Sequence, residues 1–173
     1  MAGMKNNKLQ ANNLSISAVK LPLPDNTNVI IGKTHFIKSV EDIYEAVIQS
    51  VPGIKFGLAF NEASGDRLIR YEGNDDELIK TALEAAKMCA CGHTFYIYIK
   101  NAWPINIIDR IRAVPEVIEI VACTANPIYA IIAENEQGRG IIGVIDGFPP
   151  LGIESKEKKQ ERHNFLRKIG YKI

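Results

Sequence analysis

Apolar residues recur along this chain at two spacings, every second position or every third and fourth, and the switches between them mark strands and helices. Leu14, Ile16 and Ala18 alternate with polar neighbours over 14–21, which predicts a half-buried strand with those three side chains inward. The turn Pro22-Leu-Pro-Asp-Asn26 then feeds a second short strand over 28–32. Ser39 is the expected N-cap of a helix with Val40, Ile43, Tyr44, Val47, Ile48 and Val51 inward, stopped by Pro52-Gly53. Strands over 54–60 and 67–71 follow, joined by the polar tip Asn61-Glu-Ala-Ser-Gly-Asp66. Asn74-Asp75-Asp76 caps a second helix whose inner stripe runs Leu78, Ile79, Ala82, Leu83, Ala86 and Cys89.

A strongly β-prone run covers 94–100, and Pro104 suits the first position of a third helix with Ile107, Ile108 and Ile111 inward. Three further β-rich runs occupy 117–122, 128–133 and 141–145, and a mostly charged helix over 155–169 shows Phe165, Leu166 and Ile169 before Gly170. Strands and helices interleave, yet several strands follow one another directly. The expectation is therefore an α/β fold, a mixed β-sheet with helices packed on it in a three-layer sandwich. No linker or repeat divides it: residues 14–173 are expected to form one domain behind a polar, Asn-rich and flexible lead-in at 1–13.

Composition narrows the function. The 173 residues are 46% hydrophobic and 24% charged with a formal net charge of +1, an ordinary globular mixture without the basic excess of a nucleic-acid-binding module. Cys89, Cys91 and Cys123 make neither a disulfide framework nor zinc-ligand spacing, so they are expected as buried thiols in a reducing compartment. With no apolar leader and no run of membrane-spanning length, the expected location is the cytoplasm, with no membrane partner.

Two strings imitate nucleotide motifs. Gly138-Arg-Gly140-Ile-Ile-Gly143 has the letters of G-x-G-x-x-G, but a β-rich run follows it where the dinucleotide fingerprint needs a helix. It reads as a glycine turn between strands, with an anion cradle at Gly138, Arg139 and Gly140 as the functional alternative. Gly32-Lys33-Thr34 resembles the end of a P-loop, but Thr27 stands where the first glycine belongs. Lys33 is either solvated or phosphate-facing. His35 and His93 sit in loops leading into regular elements, whereas His163 lies on a polar helix face. Asn61, Glu62, Asn126 and Glu134 stand at strand ends, where amides and carboxylates suit either turn capping or contacts to a base and ribose. No metal site is assigned.

Several strings taken together resemble the adenosine-specific kinase family. They are Gly32-Lys-Thr-His-Phe-Ile-Lys-Ser-Val-Glu-Asp42, Ser50-Val-Pro-Gly-Ile-Lys-Phe-Gly57, Asn61-Glu-Ala-Ser-Gly65, Gly92-His-Thr-Phe95, Pro104-Ile-Asn106 and Thr124-Ala-Asn-Pro127. The longest is Ala133-Glu-Asn-Glu-Gln-Gly-Arg-Gly140, continuing through Gly143-Val-Ile-Asp-Gly-Phe148 to Leu151-Gly152. The resemblance implies a compact α/β fold and a homo-oligomer, a trimer or dimer of trimers. It also implies binding of adenosine and AMP in preference to ADP and ATP, and a phosphorylated histidine. His93 stands first for that role and His35 second. Lys33, Lys38, Gly138, Arg139 and Gly140 would then surround the phosphate, and Asn61, Glu62, Asn126 and Glu134 would meet the nucleoside. No cofactor is firmly implied; ATP or another phosphate donor would supply the phosphoryl group. Two functions remain open: an adenosine-specific phosphotransferase, and a non-catalytic adenosine or AMP sensor.

Overall fold

The computed structural model describes residues 13–173; the expected lead-in, apart from Asn13, lies outside them. In chain order the elements are β1 (Ser15–Lys20), β2 (Asn28–Thr34), α1 (Ser39–Ile48), β3 (Lys55–Asn61), β4 (Ile69–Gly73), α2 (Asp76–Cys89) and β5 (Thr94–Lys100). A single 3-10 turn at Pro104–Asn106 leads into α3 (Ile108–Arg112), followed by β6 (Val117–Thr124), β7 (Ile128–Glu134), β8 (Arg139–Asp146) and α4 (Lys156–Lys168).

The α/β class and the three layers are those expected from the interleaved periodicities. The strands divide into a five-stranded sheet, order β4-β3-β5-β2-β6, and a three-stranded sheet, order β1-β7-β8, with every pairing antiparallel. Alternation then sorts the side chains of the larger sheet. Ile30, Phe56, Leu58, Phe60, Phe95, Ile97 and Ile99 face α1 and α3, where they meet Ile43, Val47 and Ile111. Val29, Ile31, Ala59, Tyr96 and Tyr98 face the other way, against α2 and the inner side of the smaller sheet. Gly57 shows why α2 lies so close: a Cβ there would stand 2.2 Å from the Leu78 and Ile79 backbone.

Local chemistry accounts for most element boundaries. Asp75 caps α2 by accepting from the Leu78 N–H at 3.1 Å. The neighbouring Asn74 instead bridges to β3, accepting from Phe56 N and donating to Ile54 O, each at 2.9 Å. Ser39 differs from expectation. It is the first residue of α1 and buried, its hydroxyl is hydrogen-bonded to that of Thr34, and Lys38 occupies the cap position without capping the helix through its side chain. The helix also stops at Ile48, short of Val51.

Two burial expectations are overturned. Ile16 and Ala18 point outward, because the register that sets Val19 opposite Ala130 turns Val19 toward the core, and Leu14, ahead of the strand, is exposed. On α4, Phe165 and Ile169 are exposed, and the helix buries none of its residues. Cys89 and Cys91 are buried free thiols, but Cys123 lies exposed on β6.

Candidate functional site

The C-terminal ends of β2 and β3 and the starts of β4, β5 and β6 share one end of the five-stranded sheet. Loops at strand ends need not satisfy a ladder, so side chains there are free to meet a ligand. Beside this end the β7–β8 turn stands over the C-terminus of α2, and the two enclose a cleft of about 780 Å3. Asn61, Glu62, Gly138, Arg139 and Gly140 line it together with Arg67, Lys87, Asn135 and Gln137, over an apolar side of Leu14, Leu68, Ile69 and Ala86. Five of the residues singled out in the sequence therefore meet in one place.

Asn61 is 6% exposed, and its amide donates to the carbonyls of Ala86 at 3.2 Å and Cys91 at 3.1 Å. It thereby ties the end of α2 to β3, adding a second donor to carbonyls that Ala90 N and Thr94 already engage. Glu62 accepts from Leu68 N at 3.1 Å and from Arg70 Nη2 at 3.0 Å, clasping the β3–β4 loop. The Leu68 N–H above all, and then the Arg70 guanidinium, hold its carboxyl below the usual carboxylate range.

His93 adopts a left-handed backbone, φ +61°, unusual for a residue with a Cβ. Its N–H donates to Asn61 O at 2.8 Å and its carbonyl accepts from Thr34 N at 2.9 Å, which fixes it between β3 and β2. The imidazole stacks on Phe60, centroids 6.2 Å apart and planes within 7°, and so lies on the α1 side of the sheet. Gly92 lines the cleft and His93 does not. His35 follows β2 at the same sheet end and is exposed, its N–H donating to Glu116 O at 3.3 Å.

The two candidate lysines are already ion-paired. Lys33 Nζ lies 2.8 Å from Glu119. Lys38 is held by Asp42 and by the buried Glu116, and these carboxylates push its pKa up to about 12. In the β7–β8 turn the Gly138 and Gln137 N–H groups donate to Asn135 Oδ1, while Gly140 pairs with Ala133 in the sheet. Arg139 Nη1 donates to Met88 O at 3.2 Å, and its Nε lies 3.2 Å from Glu134. That places a cation at the C-terminal turn of α2, where the helix dipole favours one. Asn126 lies at the opposite end of the sheets, in a turn with Thr124 and Asp146, donating to Asp146 Oδ1 at 3.1 Å.

Arg67 and Lys87 are the cleft's further cations, and sequence reasoning passed over both. One signal does mark the region: Arg67 and Ala90, which line the cleft, and His93 beside it are all left-handed without being glycine. Such strain concentrates at functional sites. Burial raises the Cys91 thiol to about 11 and raises Cys89 as well, so neither acts as a thiolate nucleophile.

This is an α/β protein with a polar-rimmed cleft of small-molecule size at the end of its larger sheet. The family model for adenosine specific kinase matches residues 19–172, and the chain belongs to that family. Among solved structures, the crystal structure of PH1918 protein from Pyrococcus horikoshii OT3 is 44% identical, with a TM-score of 0.88 over 92% of this chain and 99% of that one. No curated protein matches the chain. Among the described residues no helix is long and apolar enough to cross a membrane.

Proposed function

We propose that the cleft binds adenosine or AMP and that the protein acts as an adenosine-specific phosphotransferase through a phosphohistidine. The observation that carries this reading is the meeting, in one cleft of about 780 Å3, of an apolar side for a base with Arg67 and Lys87 for phosphate, beside the Glu134-paired Arg139. Family membership supplies the nucleoside. A neutral imidazole nitrogen of His93 attacks the terminal phosphorus of a donor such as ATP, forming P–N as the donor's P–O bond breaks. The His93 ring lies on the α1 side of the sheet end and the cleft on the α2 side, so the ring must swing around that end before transfer. Transfer to a nucleoside hydroxyl then breaks P–N, forms P–O and releases the hydroxyl proton. Calorimetric titration with adenosine, AMP, ADP, ATP and guanosine tests the binding. Saturation by adenosine and AMP alone supports it, and silence across all five overturns it. Intact mass with His93→Asn and His35→Asn tests the chemistry: loss of an added phosphoryl group in the first variant alone assigns His93.

A sensor without turnover is favoured by one observation. Lys33 and Lys38 are committed to Glu119, Asp42 and Glu116, which leaves them no free charge for a phosphohistidine. Nucleoside binding with no phosphorylated histidine under any donor would select that reading.

A further inference from the structure

The three-stranded sheet has an uncovered face. Ile16, Ala18, Tyr129, Ile131 and Ile145 share its outer side, in register across β1, β7 and β8, and Ile16 is 65% exposed. An antiparallel sheet with a solvated face ordinarily carries polar residues there. Strict alternation in β1 gives Leu14, Ile16 and Ala18 the pattern of a buried stripe, so the sequence is written for a cover.

The same chain carries an arm with nothing beneath it. Beyond β8, Phe148, Leu151 and Ile153 are exposed, the last two completely, and α4 buries no residue although Phe165 and Ile169 stand on it. A helix of this length is marginal in water without a packed face. The arm is nevertheless well ordered within itself: Ser155 caps α4, and Arg162 forks onto Glu154 at 2.9 and 3.1 Å. Pro149-Pro150 stiffens the exit from β8, and residues 148–155 run exposed from there to the start of α4.

We infer that the arm, 147–173, docks on the outer face of the three-stranded sheet of a second copy of this chain. Each copy offers one apolar arm and one apolar face, so a reciprocal pair or closed ring covers every one. Among the described residues, Lys20, opposite Tyr129, is the one charged side chain in register on this face, so the match between arm and face is one of apolar surfaces. The self-association expected from the sequence thus gains a specific surface, independent of what the cleft binds.

Two full-length chains, co-expressed with different tags on a Cys123→Ser background, test the contact. One carries Ile145→Cys and the other Leu151→Cys, and a short bis-maleimide is added. A cross-linked species bearing both tags is expected, and its absence overturns the inference. Light scattering on the otherwise unmodified chain is expected to give a multiple of 19.2 kDa at micromolar concentration. Leu151→Asp/Ile153→Asp is expected to lower that mass while the circular dichroism spectrum is kept. A monomeric parent, or a folded double variant of unchanged mass, overturns the inference equally.

Discussion

The two sheets of this protein are built from similar residues and treated in opposite ways. Both faces of the five-stranded sheet are covered, by α1 and α3 on one side and by α2 with the smaller sheet on the other. Its central strands accordingly read as continuous apolar runs, Thr94–Lys100 above all. The three-stranded sheet is covered on one face only, yet its outer side is nearly as apolar as its inner side. A hydrophobic pattern therefore specifies that a side chain will be buried, without specifying which chain buries it.

That contrast can be broken most forcefully at the centre of the larger sheet. Ile97→Ala removes a fully buried side chain and leaves a cavity, at an expected cost of about 4 kcal/mol in denaturant-derived unfolding free energy. Asn61→Ala removes the amide that ties the Ala86 and Cys91 carbonyls to β3, but each carbonyl keeps a second donor, from Ala90 N and from Thr94, so the expected cost is about 1 kcal/mol by the same measurement. It should also loosen nucleoside binding in calorimetry, because the cleft wall loses its closure.

At the rim the effect is smaller and depends on pH. The Glu62 carboxyl titrates lower in the folded protein than its ordinary 4.5, so its contribution is complete above that value and is lost as pH falls through the folded pKa. Glu62→Gln is expected to flatten the acid limb of a stability-against-pH profile and leave the neutral plateau nearly flat. Smallest of all is Ile145→Ala on the uncovered face. On the Leu151→Asp/Ile153→Asp background it should change unfolding free energy by no more than about 0.5 kcal/mol. A cost near that of Ile97→Ala would mean that the face is covered within one chain.

What was legible in the sequence follows from the range of the interactions involved. The Asp75 cap of α2 and the left-handed Gly170 after α4 depend on neighbours within a few positions, and both were readable. Ser39 looked like a cap until a contact with Thr34 across the turn into α1 gave its hydroxyl another partner. The inward face of β1 was misread because the register with β7, more than a hundred residues away, decides it. The cleft was half legible. Asn61, Glu62 and Arg139 stood at strand ends, whereas Arg67 and Lys87 look like any surface cation until a loop and a helix converge. Asn126 had the same local character as Asn61, and only the topology puts them at opposite ends.

The order β4-β3-β5-β2-β6 carries a consequence for the speed of folding. β2, which ends at Thr34, has no ladder partner until β5 and β6 reach it from Thr94–Lys100 and Val117–Thr124. Within that sheet only β3 and β4 join through a short loop, so almost every pairing must first close a long stretch of chain. Contacts this distant in sequence place a fold on the slow side, in the range of milliseconds to seconds. During a chain's synthesis β2 waits unpaired through roughly 60 residues before its first neighbour is made.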